Sequence, residues 1–209
     1  MIVSAVRINP WLYGFLFPVH RLLMRTYFRA IDVQGLENIP ENGPMVFACK
    51  HFSRWDPLVV GFAVQQPIYF MTDIHQFQGF QGWVIENLGG FPVDRQKPDK
   101  TSLKTTLQVL RDGKRLVIFP EGGIEREQIV RPLKPGLARM VLQAQTTTQQ
   151  AIPIVPVVLK YTPDAVAGAA VSVRIDQPIY ANQYGEASSK AIAKQLTQAI
   201  ESRLTALLK

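Results

Sequence analysis

Short apolar runs alternate with stretches of helical periodicity along most of this chain, and this alternation is the strongest constraint on its fold. Apolar runs of strand length cover residues 45–49, 68–71, 115–119, 154–159 and 171–175, and helical stretches cover residues 56–64, 80–88, 100–112 and 135–149. From Ile192 to Leu208 a leucine or isoleucine recurs every fourth residue, which is typical of an amphipathic terminal helix. Strands that alternate with helices favour an α/β layer fold. We therefore predict a single α/β domain with a mostly parallel central sheet flanked by helices.

The first thirty residues differ in composition from the rest of the chain. They contain four arginines and no acidic residue, and six aromatic side chains lie among them. The longest uncharged apolar run there, residues 8–19, is 12 residues long and contains two prolines, whereas a spanning helix needs roughly 20. Arginine mixed with aromatic residues is typical of a segment that lies at a membrane interface. A helix pair packed on the domain's own core is the alternative.

These patterns divide the chain into two parts. We predict an N-terminal interfacial helical segment over residues 1–33, which associates with a membrane, and the main domain over residues 34–209. The single cysteine, Cys49, cannot form an internal disulfide and fits a reducing compartment. The net charge of +7 indicates an anionic partner, such as an acidic membrane surface, a phosphorylated small molecule or nucleic acid.

The stretch ACKHFSRWDP, residues 48 to 57, contains one of only three histidines. On a continuous helix His51 and Asp56 would differ by about 140° in azimuth, so they can meet only where the chain bends. A bend is expected because Asp56-Pro57 is a typical helix start, with Asp56 as the N-cap; Ser53 is an alternative cap. Asp56 would then hold one imidazole nitrogen and leave the other free as a base. An aspartate that only caps a helix remains the alternative.

A second candidate site follows the predicted strand over residues 115–119, where the sequence reads FPEGG. In open α/β sheets, ligands bind beyond the carboxyl ends of the strands. Gly122 and Gly123 would let backbone amides approach a substrate closely, and Glu121 would orient a hydroxyl or an arginine. An ordinary strand-ending turn explains the same residues.

Basic side chains are concentrated in the middle of the chain. Residues 89–140 contain eleven basic and six acidic residues. Arg95 follows GGFPVD at a predicted strand end, while Arg126, Arg131 and Lys134 follow FPEGG. We expect them to line the same rim as His51, where a phosphate would fit. A solvated basic face is the alternative, and it applies to most of the lysines here.

Taken in order, four blocks of this chain resemble the motifs of the glycerophospholipid acyltransferase family, that of the 1-acylglycerol-3-phosphate acyltransferases. KHFSRWD resembles the first motif, N-H-x-S-x-x-D, and GGFPVDR is similar to the second. FPEGGIER resembles the third, usually F-P-E-G-T-R-S, and IPIVPVVL resembles the fourth. LKPGLARM is similar to the family's Lys-x-Gly-Ala helix entry. The sequence departs from the family at Lys50, where Asn is usual, and at Gly123 and Ile124, where the third motif has Thr and Arg.

The resemblance implies transfer of a fatty acyl group from a thioester to the free hydroxyl of lysophosphatidic acid. His51 would be the general base and Asp56 would hold its ring. The acceptor would contact Arg95, Glu121, Gly122, Arg126 and Lys134. No metal and no bound cofactor is implied, and acyl-CoA or acyl-ACP, the acyl carrier protein, would be the co-substrate.

Because the acceptor is a membrane lipid, the resemblance also implies a peripheral or monotopic protein at the cytoplasmic face of an anionic membrane, without a nucleic-acid partner. The departures in the third motif leave glycerol 3-phosphate or another lysophospholipid as alternative acceptors. A basic non-enzymatic module that binds membranes or nucleic acid is a further alternative, which would leave the four ordered motifs unexplained.

Overall fold

The computed structural model describes residues 6–94, 100–185 and 188–209. Its seven strands are β1 (Ala30–Gln34), β2 (Met45–Cys49), β3 (Tyr69–Asp73), β4 (Gly90–Val93), β5 (Arg115–Ile118), β6 (Ile154–Thr162) and β7 (Ala170–Ile175). They form one sheet in the order β1-β7-β6-β2-β5-β3-β4. All neighbours are parallel except β6 and β7, which are antiparallel. The prediction of a mostly parallel α/β sheet is therefore confirmed.

Helices cover both faces of this sheet. They are α1 (Pro10–Tyr27), α2 (Asp56–Val64), α3 (Gly79–Asn87), α4 (Lys100–Arg111), α5 (Gly136–Thr148) and α6 (Ser189–Leu207). One hydrophobic core lies between the sheet and α4, α5 and α6, and a second lies between the sheet and α1 and α2. All five residues of β2 are buried because alternate side chains enter the two cores, which explains its continuous apolar run.

The central strands place two loops side by side. Strands β2 and β5 are parallel neighbours, with Phe47 opposite Val117 and Ala48 opposite Ile118. Their carboxyl ends therefore lie at the same edge of the sheet, and the loop over residues 50–55 meets the loop over residues 119–135 there. This edge is where the parallel-sheet rule predicts a ligand site.

The N-terminal segment contains one long helix in place of the helix pair considered from the sequence. Pro10 is the first residue of α1, a position at which a backbone N–H would have no partner within the helix, so a proline is tolerated there. Pro18 lies inside the helix without ending it. Met24 and Phe28, at the end of the segment, are buried in the core. No helix within the described residues combines the length and hydrophobicity needed to cross a membrane.

Strand β1 was not predicted, and the boundary that we expected between residues 33 and 34 lies within it. Within the described residues, this strand is at the edge of the sheet, pairs only with β7, and buries none of its five residues fully. Its short Ala-Ile-Asp-Val-Gln sequence therefore lacks the apolar run that marks the central strands.

Candidate active site

The bend between β2 and α2 brings His51 and Asp56 together. Strand β2 ends at Cys49 and α2 begins at Asp56, so both side chains flank a loop of non-helical chain. His51 Nδ1 lies 2.9 Å from Asp56 Oδ2. Because a carboxylate accepts this hydrogen bond, Nδ1 carries the proton in neutral imidazole and Nε2 is left as an acceptor. No group in the described part of the chain hydrogen-bonds to Nε2, so its lone pair is free for a substrate.

Asp56 does not cap the helix as expected from the sequence. The N-cap of α2 is Trp55, and Asp56 is the first helical residue. Its carboxylate turns back toward the loop, where Oδ2 accepts hydrogen bonds from the backbone N–H groups of Phe52, at 2.6 Å, and Ser53, at 2.8 Å. The Ser53 hydroxyl accepts the N–H of Trp55 at 3.3 Å, so it forms no capping box. The carboxylate therefore fixes the shape of the loop that carries His51.

His51 is held on three further sides. Its ring stacks on Phe119, with the ring centroids 4.2 Å apart. Its backbone N–H donates to Glu121 Oε2 at 2.9 Å, and its backbone carbonyl accepts the N–H of Glu125 at 2.8 Å. The side chain is nearly buried, which leaves the ring little freedom to rotate away from Asp56.

Glu121 lies at the site, but its side chain points into the protein. The carboxylate is fully buried and bonds Lys50 Nζ at 3.0 Å, the Arg131 N–H at 2.9 Å and the His51 N–H. These contacts use both oxygens on the protein itself. Glu121 was predicted to contact the acceptor, but its carboxylate instead positions the main chain of His51 and of Arg131. No role was predicted for Lys50, the unusual residue of the first motif.

Glu125 organises the loop that follows FPEGG. Its carboxylate accepts the backbone N–H groups of Glu127 and Gln128 and binds the Arg131 guanidinium at 2.7 Å. These interactions, led by the Glu127 N–H, lower the pKa of Glu125 from 4.5 to about 2. The Glu125 carbonyl also accepts a hydrogen bond from Lys50 Nζ at 2.7 Å. Arg131, predicted at a phosphate rim, is therefore committed to this loop.

The remaining predicted contacts lie around the rim. The Arg126 guanidinium lies 4.7 Å from the centroid of the Phe52 ring and bonds both the Phe52 carbonyl and Asp164, and it is half-exposed. Lys134 is exposed, with no partner within the described ranges. Gly122 has a φ of 73°, which favours glycine, and open space where a Cβ would be. Arg95 lies outside the described residues.

An apolar groove of about 590 Å³ reaches the loop that carries His51 and Asp56. Its walls come from α1, α2 and α3, and its floor comes from β3 and β5. Tyr13, Leu16 and Phe17 belong to the wall formed by α1, and Val84 and Ile85 belong to the wall formed by α3. Pro57, the residue after Asp56, is among its lining residues. This groove was not predicted from the sequence, because its walls come from three separate helices.

No metal site accompanies the His51–Asp56 pair. Across residues 6–94, 100–185 and 188–209, no group of three or more His, Cys, Asp or Glu side chains is arranged to hold a metal ion. A neutral imidazole with a free Nε2, held by a buried carboxylate, is suited to taking a proton from a hydroxyl. The adjoining groove is suited to a long apolar chain.

The chain is similar to known acyltransferases. A model of the Acyltransferase family matches residues 30–160. A 1-acyl-sn-glycerol-3-phosphate acyltransferase of Bacillus subtilis (strain 168) is 25% identical over 182 residues, which are 85% of this chain and 87% of that protein. The corresponding enzyme of Borreliella burgdorferi is 26% identical over 165 residues, covering 78% of this chain and 58% of that protein.

A solved structure has the same fold. The crystal structure of the 1-acyl-sn-glycerophosphate (LPA) acyltransferase PlsC from Thermotoga maritima aligns with a TM-score of 0.70 at 19% sequence identity, over 94% of this chain and 80% of that chain. The family match covers more than half of the chain and includes His51, Asp56 and Glu121. This chain belongs to the Acyltransferase family.

Proposed function

We propose that this enzyme transfers a fatty acyl group from an acyl thioester to the free hydroxyl of lysophosphatidic acid, giving phosphatidic acid. The observation that carries the proposal is the free Nε2 of His51, which Asp56 orients. An apolar groove lined by Pro57, the residue after Asp56, supports it. The names of the relatives support the choice of acceptor. The thioester donor is acyl-CoA or acyl-ACP.

The reaction begins with the acceptor hydroxyl hydrogen-bonded to His51 Nε2. As its oxygen attacks the thioester carbonyl carbon, the proton passes to Nε2, and the new imidazolium is stabilised by Asp56. The tetrahedral intermediate then collapses, the carbon–sulfur bond breaks, and the thiolate takes the proton from Nε2. The ester, the free thiol and neutral His51 result. No serine nucleophile is needed, which is consistent with the buried position of Ser53.

The groove would bind the acyl chain. Its lining is almost entirely apolar, and each methylene removed from water contributes about 0.8 kcal/mol. Because Pro57 lines the groove and Asp56 precedes it, a chain in the groove would present its carbonyl near His51. The exposed cations Arg126 and Lys134, together with Arg95, would bind the acceptor phosphate. Gly122 would allow the substrate to approach the main chain closely.

The exposed faces of α1 and α3 support docking on a membrane. Trp11, Phe15 and Leu22 form a stripe along the outer face of α1 and are 64% to 87% exposed. On α3, Phe80 and Trp83 are exposed and stacked on each other. Because these helices form two walls of the groove, insertion of both faces into the interface would open the groove toward lipid. Exposed arginines at the end of α1 would meet anionic headgroups at the cytoplasmic face.

An acyl-transfer assay that crosses two donors with several acceptors tests the proposal. The donors are acyl-CoA and acyl-ACP, and the acceptors are lysophosphatidic acid, glycerol 3-phosphate, a lysophospholipid with a larger headgroup and monoacylglycerol. We expect the wild type to prefer lysophosphatidic acid, and His51→Ala to lower kcat by about 10² to 10⁴. His75→Ala, which removes a histidine outside the site, is the matched control.

Each outcome of this assay has a distinct meaning. Near-native turnover by His51→Ala contradicts the assignment of the base. Equal turnover of lysophosphatidic acid and monoacylglycerol contradicts the phosphate-binding role of the cationic rim. A preference for glycerol 3-phosphate would show that the acceptor is glycerol 3-phosphate and not lysophosphatidic acid. This outcome is tested because the third motif has Arg where this chain has the exposed Ile124.

A further inference from the structure

We propose that Tyr161 is a positioning residue for the His51–Asp56 pair, an inference that rests on the proposed function of that pair. The Tyr161 hydroxyl donates a hydrogen bond to Asp56 Oδ1 at 2.7 Å. Both side chains are buried, Asp56 completely. Tyr161 belongs to β6 and is separated from Asp56 by 105 positions in the sequence, so only the folded sheet brings them together.

The four hydrogen bonds to Asp56 are divided unequally between its two oxygens. Oδ2 accepts from His51 Nδ1 and from the backbone N–H groups of Phe52 and Ser53. In the described part of the chain, the Tyr161 hydroxyl is the only donor to Oδ1. The carboxylate plane is therefore fixed from both ends. Without Tyr161, the loop residues alone would hold it, and one oxygen of a buried anion would lack a partner.

The surroundings of Tyr161 keep its hydroxyl a donor. Burial and the charge of Asp56 raise the pKa of the Tyr161 phenol, so the group stays protonated over the working range of an enzyme. Its ring stacks on Phe52, with centroids 5.8 Å apart, and lies 5.9 Å from the Phe28 ring. These contacts hold the phenol in one orientation. It is a fixed dipole directed at Asp56, and its own proton takes no part in the reaction.

Tyr161 lies just outside the motifs that identify the family. The family match ends at residue 160, and the fourth sequence block ends at Leu159. Other ionisable groups near His51 approach from different directions. Glu121, in the loop after β5, accepts the His51 N–H and also binds Lys50, and Arg126 covers Phe52. Among the described residues, only Tyr161 donates a hydrogen bond to Oδ1 of Asp56, the carboxylate that orients the His51 ring.

Tyr161→Phe tests the inference because it removes one oxygen and keeps the ring. We expect kcat to fall about tenfold with KM nearly unchanged, since a hydrogen bond to a charged group is lost without altering the groove. We also expect the acidic limb of the pH–rate profile to move to higher pH, because an Oδ1 without a donor leaves more negative charge to stabilise the protonated imidazole. Tyr69→Phe, which changes another buried tyrosine of the sheet, should alter neither quantity.

Proton NMR of the three histidines gives a readout that needs no substrate. In Tyr161→Phe, the titration curve of the His51 ring protons should be displaced to higher pH, while those of His20 and His75 stay in place. In an Asp56→Asn background the same substitution should cause no further displacement. An unchanged His51 curve in Tyr161→Phe, or an equal displacement in both backgrounds, overturns the inference.

This experiment also separates the inference from the proposed function. If the wild type transfers no acyl group to any acceptor, the proposed function fails, and the His51 titration still decides the role of Tyr161. Thermal unfolding of each variant shows whether it is folded. A Tyr161→Phe protein that is folded and has wild-type kcat and a wild-type His51 curve shows that the tyrosine only packs.

Discussion

The Nζ atom of Lys50 lies 3.0 Å from Oε1 of Glu121, and this ion pair is buried directly behind the main chain of His51. Lys50 stands where the first motif usually has Asn, and its second hydrogen bond goes to the carbonyl of Glu125. A single lysine thus ties the loop after β2 to the loop after β5. The changed residue of the first motif therefore contacts Glu121, a residue that the third motif retains.

Breaking this pair should destabilise the protein strongly. Lys50→Met leaves the Glu121 carboxylate buried without its cation, and loss of one partner of a buried ion pair costs about 3 to 5 kcal/mol. Urea unfolding should show this decrease in the free energy of unfolding. Glu121→Gln in the Lys50→Met background should recover part of it, because the uncompensated charge is removed. A Lys50→Met protein of wild-type stability would contradict the structural role of the pair.

The depressed pKa of Glu125 predicts how stability depends on acid. Because the folded-state pKa, about 2, lies below the ordinary 4.5, the stabilisation is fully present above pH 4.5 and is lost as the pH falls toward 2. Urea midpoints measured across this window should fall less steeply for Glu125→Gln than for the wild type. Glu127→Gln, which keeps the backbone N–H, is the matched control. Identical slopes for the wild type and Glu125→Gln would contradict the prediction.

The central elements were predictable because their signals are local. The apolar run of β2 and the Asp-Pro start of α2 each consist of consecutive residues. In the structure, β2 and α2 begin and end at the residues that were predicted. The meeting of His51 and Asp56 followed from their short spacing and the bend. The motif order identified the family, and the family match agrees with it.

The missed features depend on contacts between distant parts of the chain. Tyr161 reaches Asp56 across 105 positions, and Lys50 reaches Glu121 across 71. Neither partner can be read from the residues next to it in the sequence. Arg131 was predicted to face a phosphate because the sequence shows its charge. Its actual partner, the Glu125 carboxylate, is identified only by the folded structure. The groove depends on three helices, so no single one predicts it.

Gly61 offers a test of chain-length selection. It lines the groove on α2, and a Cβ there would lie 3.7 Å from Cε1 of His20 on α1. Gly61→Ala should fit, whereas Gly61→Leu should fill part of the groove and exclude the end of a long chain. Each excluded methylene should weaken binding by about 0.8 kcal/mol, or about fourfold. The ratio of kcat/KM values for long and short donors should therefore fall in Gly61→Leu. An equal fall for all lengths would indicate a general packing defect.

Point substitutions on the outer face of α1 test membrane docking, because deletion of the helix would remove the core residue Met24. Replacing Trp11 and Phe15 by serine removes two apolar side chains whose full burial contributes about 1.5 to 3 kcal/mol each. Sedimentation with vesicles rich in phosphatidylglycerol should therefore show binding weakened at least about a hundredfold where both side chains are fully inserted. Leu36→Ser, which changes an exposed leucine outside α1 and α3, should bind as the wild type does.

The electrostatic part of docking is tested with the same vesicles. If the arginines near the end of α1 meet anionic headgroups, Arg25→Gln with Arg29→Gln should weaken binding by about 1 kcal/mol per charge, and salt should reduce this difference. Neutral phosphatidylcholine vesicles should bind the wild type and the arginine variant equally, because only the apolar stripe then acts. Should the serine variant sediment with anionic vesicles as fully as the wild type, α1 would not be the docking surface, and the exposed Phe80 and Trp83 of α3 would become the next candidates.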